Sequence, residues 1–116
     1  MNRKELLTLH EDLCAESRKL MERKNHDYAS GKVETEPFGN FTRVASMGVT
    51  TVEKGFLVRM VDKMSRLSTF AQEGEFRVED ESLRDTIMDL INYGVLLYAY
   101  VQSKPEDHSS QEVNEE

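Results

Sequence analysis

The chain has a single cysteine, Cys14, which excludes an internal disulfide and any CxxC metal site. Its three histidines, His10, His26 and His108, are scattered, so no His/Cys set argues for zinc. There is no GxSxG elbow, no glycine-rich phosphate loop and no Cys–His arrangement that would mark a nucleophile. Basic residues are outnumbered, 15 against 22 acids, so no nucleic-acid surface is expected. The most apolar stretch, Leu90 to Val101, is too short to span a bilayer. The first residues, MNRKELLTLHED, are charged throughout and carry no signal-peptide pattern. These absences lead us to expect a soluble, cytoplasmic chain without a membrane partner. There is also no internal repeat and no convincing strand.

What is present is short and highly charged. A chain of 116 residues allows one domain, and helical packing is the economical way to give it a core. Residues 104–116, KPEDHSSQEVNEE, hold one lysine against five acids and almost nothing apolar. They read as a disordered acidic tail beyond a single helical domain over residues 1–103. Of the net charge of −7, only −3 belongs to that body.

Residues 3–25 place Leu6, Leu9, His10, Leu13, Cys14, Ser17, Leu20 and Met21 on one helical stripe. His10 and Cys14 are therefore expected on the core side. The stretch 26–40, HDYASGKVETEPFGN, reads as a long loop of the kind that often carries function. Phe41 to Met47 predicts a short helix ended by Gly48. A long helix follows from near Thr50, where Thr50-Thr51-Val52-Glu53 fits a capping box, to about Gln72. After a turn over 73–79, Asp80 and Glu81 open the last helix with acids in its first turn, which suits the helix dipole. The expected fold is all-α: a bundle of three long helices plus a short one.

The last helix carries the best functional lead. Between Asp85 and Lys104 the only charge is Asp89, in the run TIMDLINYGVLLYAYVQS. A carboxylate in apolar surroundings must be paired, hydrogen-bonded or holding a metal, because desolvating it alone costs several kcal/mol. Glu81, Asp85 and Asp89 recur every fourth residue, with Asn92 on the same side. Leu83, Ile87, Leu90, Gly94, Leu97, Tyr98 and Val101 cluster opposite them. Stacked carboxylates with open positions suit Mg²⁺ or Mn²⁺, hard cations that take oxygen ligands. The structural alternative is a buried salt bridge from Asp89 to Arg59, Lys63 or Arg66.

The preceding long helix contains GFLVRMVDKMSRLSTF, with Leu57, Met60, Val61, Met64 and Leu67 as the expected apolar face. Arg59, Asp62, Lys63 and Arg66 gather on the other face. That face is either solvated, with internal ion pairs, or a polar wall for a cation and phosphate oxygens. Lys24, Asp27, Tyr28 and Pro37-Phe38-Gly39-Asn40-Phe41 suggest a base-binding lip, with an ordinary turn around a packed Phe as the alternative.

Taken together, KNHDYAS, PFGNF, LVRMVDKMSRL and VEDESLRDTIMDLINY resemble a phage and bacterial family, nucleotide modification associated domain 1. That family is thought to be related to the all-α, MazG-like nucleoside triphosphate pyrophosphatases. The resemblance spans roughly residues 20–98. It implies a helical homo-oligomer, a dimer or larger, acting on nucleotides in a phage-infected or bacterial cell. It implies that Asp62, Glu81, Asp85 and Asp89 are metal-site carboxylates, with Asp62, Glu81 and Asp85 catalytic. Arg59, Lys63 and Arg66 would meet phosphates, while Lys24, Asp27, Tyr28 and Asn40 shape the nucleotide pocket and Asn92 supports the site.

The expected activity is Mg²⁺-dependent conversion of a (deoxy)nucleoside triphosphate to monophosphate and pyrophosphate. The alternative is a binding protein that sequesters a nucleotide without cleaving it. MazG-like enzymes pair ExxE with ExxD, whereas the only ExxE here is Glu112 to Glu115 in the tail. A third reading is a helical adaptor whose charged stripes are salt bridges between subunits.

Overall fold

The computed structural model describes residues 1–28, 38–75 and 82–104, with the side chains of residues 25–28 left aside. Four helices follow in order: α1 (Arg3–Tyr28), α2 (Gly39–Ser46), α3 (Val52–Glu73) and α4 (Leu83–Ser103). The fold is all-α, three long helices and a short one, with no strand among the described residues. No helix among them is long and apolar enough to cross a membrane.

Local chemistry sets the helix ends. α3 begins one residue later than the sequence pattern suggested. Thr51 is the N-cap, and its hydroxyl accepts from the Lys54 N–H at 3.2 Å, so the box expected from Thr50 to Glu53 is replaced by a simple cap. At its other end Gly74 takes φ 80°, which a residue with a side chain adopts only with strain, and donates to Phe70 O. Gly48, at φ 78°, ends the α2 segment in the same left-handed region.

α4 carries the true capping box. The Ser82 hydroxyl accepts from the Asp85 N–H at 3.1 Å, and the Asp85 carboxylate accepts from the Ser82 N–H at 3.2 Å. The helix therefore opens at Leu83, not at Asp80, and both Asp80 and Glu81 lie outside the described residues. Ser82→Ala removes one acceptor and is expected to cost about 1 kcal/mol in urea unfolding. An unchanged unfolding midpoint would show that the box contributes nothing to α4.

The core is small and aromatic. Phe41 of α2 stacks on Phe56 of α3 with ring centroids 3.9 Å apart, and Tyr93 of α4 meets Phe41 edge-on. Val52 and Leu96 complete it. Phe41 is thus a core residue and not a lip that stacks on a base, and Phe38 packs edge-on against Tyr100.

α3 and α4 turn faces inward that hydropathy places outside. On α4 the buried residues are Thr86, Met88, Asp89, Asn92, Tyr93 and Leu96, while Leu83, Tyr98 and Val101 are exposed. On α3, Leu57, Val61 and Met64 are exposed, whereas Arg59, Lys63 and Arg66 are half-buried. The expected apolar faces are therefore corrected in part: Met60 and Leu97 still pack against the core, and Leu67, Ile87 and Leu90 are half-buried. The reason is electrostatic: Asp89 needs cations, and only the polar faces of α3 and α1 supply them.

α1 departs similarly. Leu6, Leu9, His10 and Cys14 are exposed, and only Ser17 on that stripe is buried. Cys14 is not a core residue. Lys104, placed in the tail by composition, caps the end of α4 and bonds Glu53 Oε2 at 2.7 Å. That hydrogen bond holds the Glu53 carboxyl below its ordinary value. The rest of the predicted tail lies outside the described residues.

Candidate functional site

Three helices meet at Asp89. Lys63 of α3 reaches Asp89 Oδ2 at 2.9 Å, and Lys24 of α1 donates to Oδ1 at 3.1 Å. Both carboxylate oxygens are therefore held by ammonium groups from different helices. The Asp89 and Lys63 side chains are only 9% and 13% exposed, while Lys24 is 40% exposed. The cluster is thus sealed on the α3 side and reachable by solvent at Lys24. Burial pushes the Asp89 carboxyl up, but hydrogen bonds from Lys63 and Lys24, with their charges, outweigh it and hold the carboxyl below its usual value.

Neighbouring groups extend the polar interior. Arg59, one turn before Lys63, donates to the Tyr93 hydroxyl at 3.4 Å, and its guanidinium lies 5.5 Å from the Phe41 ring centre. Asn92 donates through Nδ2 to the Ser17 carbonyl at 2.9 Å, and the Ser17 hydroxyl donates to Leu13 O. Among the described residues no buried side-chain nitrogen or oxygen lacks a partner.

The residues singled out from sequence divide into three groups. Lys24, Lys63 and Asp89 are brought together, with Arg59 adjoining through Tyr93. Asp62, Arg66, Asp85, Asn40 and Asn92 have other partners. Asp62 is exposed and pairs with Arg66 at 3.4 Å one turn along α3. Asp85 closes the α4 cap, Asn40 accepts from Arg43 at 3.5 Å within α2, and Asn92 ties α4 to α1. Asp27 and Tyr28 close α1, but their side chains, like Glu81, lie outside what is described.

The structural alternative for Asp89 is the one the geometry shows: a buried ion pair to Lys63. Lys24, read from sequence as part of a nucleotide lip, is its second partner. Tyr93 is the residue the sequence reading underused. Its signal was a hydroxyl-bearing aromatic one position after Asn92, on the inward side of α4.

A divalent cation needs converging oxygen donors. Among the described residues no group of three His, Cys, Asp or Glu converges. Asp89 has both oxygens engaged by lysines, and Asp85 is engaged in its cap. Asp62 is paired with Arg66, and Glu81, the remaining carboxylate of the expected set, lies outside the described residues.

Compared with known protein families, with curated proteins and with solved structures, the chain matches none.

Proposed function

We propose that this chain binds the phosphates of a (deoxy)nucleoside triphosphate. Lys24 and Lys63 would hold them, with Arg59 and Arg66 along the same face of α3. The observation that carries this reading is the convergence of Lys24 and Lys63 on one carboxylate. An ammonium has three N–H donors and Lys24 gives one to Asp89, so this accessible lysine keeps donor capacity for a second anion. Lys24 is the accessible member and gives a phosphate its point of entry. The resemblance to nucleotide modification associated domain 1 supports the choice of a nucleotide over other anions, and supports a homo-oligomer in a phage-infected or bacterial cytoplasm.

Hydrolysis to monophosphate and pyrophosphate is the second reading, and Asp62 favours it. Its side chain is 59% exposed, and its surface pair with Arg66 is worth no more than about 1 kcal/mol, so the carboxylate is easily recruited. Without that step the protein is a sequestering one.

One experiment separates the readings. Purified protein is incubated with each common NTP and dNTP in Mg²⁺, in Mn²⁺ and in EDTA. Nucleotides are resolved by anion exchange, and melting is followed in the same samples. At least one triphosphate is expected to raise the melting temperature even in EDTA. No shift with any nucleotide would overturn binding. Monophosphate and pyrophosphate formed only with metal would add hydrolysis, and unchanged nucleotide with a shift would leave sequestration.

A further inference from the structure

We infer that His10 and Cys14 form a two-ligand chelate for Zn²⁺ on the outer surface of α1. Imidazole and sulfur already face each other, with His10 Nε2 3.9 Å from Cys14 Sγ. Residues four apart lie one above the other on a helix, the spacing at which two histidines of one helix hold zinc in HExxH sites. A tetrahedral zinc with Zn–S of about 2.3 Å and Zn–N of about 2.0–2.1 Å sets those two atoms about 3.5 Å apart. The pair therefore has to close by only about 0.4 Å, which small side-chain rotations supply.

The surroundings favour coordination over packing. A free cysteine is among the side chains most often buried, yet Cys14 is exposed, and so is His10. Every residue from Met1 to Asp12 is exposed as well, so an ion has open access from solvent. Neither side chain has another polar partner among the described residues, so no other bond must break. No third His, Cys, Asp or Glu joins them among the described residues, which leaves the remaining coordination positions to water. The donors select the ion. Thiolate and imidazole suit zinc, whereas a hard cation such as Mg²⁺ takes oxygen ligands. On binding, the thiol passes its proton to solvent and the sulfur donates an electron pair to the metal, with no change of oxidation state. Ten positions of α1, about 15 Å, separate Cys14 from Lys24, so the inference does not rest on nucleotide binding.

Cys14 is the only thiol of the chain, so its alkylation reads this site alone. The full chain, kept reduced with a phosphine, is titrated with Zn²⁺ while the rate of modification by iodoacetamide is followed. Zinc is expected to slow modification saturably, at a midpoint that does not move with protein concentration. Mg²⁺ at the same concentrations should leave the rate unchanged. His10→Ala, at an exposed position, should raise the zinc midpoint at least about tenfold while far-UV circular dichroism stays the same. Absence of protection by zinc would overturn the proposal, as would equal protection by Mg²⁺. An unchanged midpoint in His10→Ala would also overturn it, by showing that the thiolate binds metal without the imidazole. A midpoint that falls as protein concentration rises would put the metal between two chains and overturn a chelate within one helix.

Discussion

Asp89→Asn is expected to destabilise the protein by about 3 kcal/mol, among the costlier single substitutions available to this fold. The substitution removes the charge that two ammonium groups share. Lys24 is 40% exposed and can turn to water, but Lys63 is 13% exposed and loses its 2.9 Å partner where solvent reaches poorly. Taking an anionic partner from a buried cation is what makes broken internal ion pairs expensive. The midpoint of thermal unfolding should fall by roughly 10–20 °C. The pH dependence follows from the direction of the shift. The folded carboxyl lies below its unfolded value, so its contribution is fully present above the unfolded pKa of about 3.9 and is lost as the pH falls through the lower folded value. The difference between the two proteins should therefore be flat through neutral pH and shrink only below about pH 4. Urea unfolding from pH 7 to pH 3 measures it. A loss under about 1 kcal/mol at pH 7 would mean that both lysines remain solvated.

The double variant Lys63→Met/Asp89→Leu should behave in the opposite way for stability and lose function. Exchanging a buried ion pair for apolar side chains of similar size is often close to neutral, so unfolding should stay within about 1 kcal/mol of the parent. Nucleotide binding should weaken at least about tenfold, since one charge-assisted bond to phosphate is worth roughly 1.5–3 kcal/mol. Calorimetric titration with a triphosphate that shifts the melting of the parent gives the number. This pairing of substitutions separates the two roles of the cluster, because a merely structural Lys63 predicts parental affinity. Undiminished binding by a stable double variant would remove the phosphates from this face of α3.

The helices themselves were legible from residue pattern, and their facing was not. Period, glycine stops and the polar loop located four helices to within a few residues. The isolation of Asp89 in an apolar run was enough to demand a partner, and Lys63 was among the three named for it. Hydropathy then misplaced Leu57, Val61 and Met64, because a heptad-like apolar stripe looks the same whether it faces its own domain or another surface. Nothing local links Lys24 to a residue 65 positions away in sequence, so its ion pair carried no signal. Asp85 misled for a different reason. A carboxylate three residues after a serine serves a helix start as naturally as it serves a metal, and only the backbone geometry at Ser82 decides between them.

The bonds that hold α1 have a kinetic meaning. Lys24 to Asp89, Arg84 to Glu16 and Asn92 to the Ser17 carbonyl span 65, 68 and 75 positions of chain. The stacked Phe41 and Phe56 rings joining α2 to α3 are only one short connection apart. Closing the long loop loses entropy before any of the three α1 bonds exists to offset it. α1 thus leaves the ribosome before α4, the helix to which these three bonds tie it.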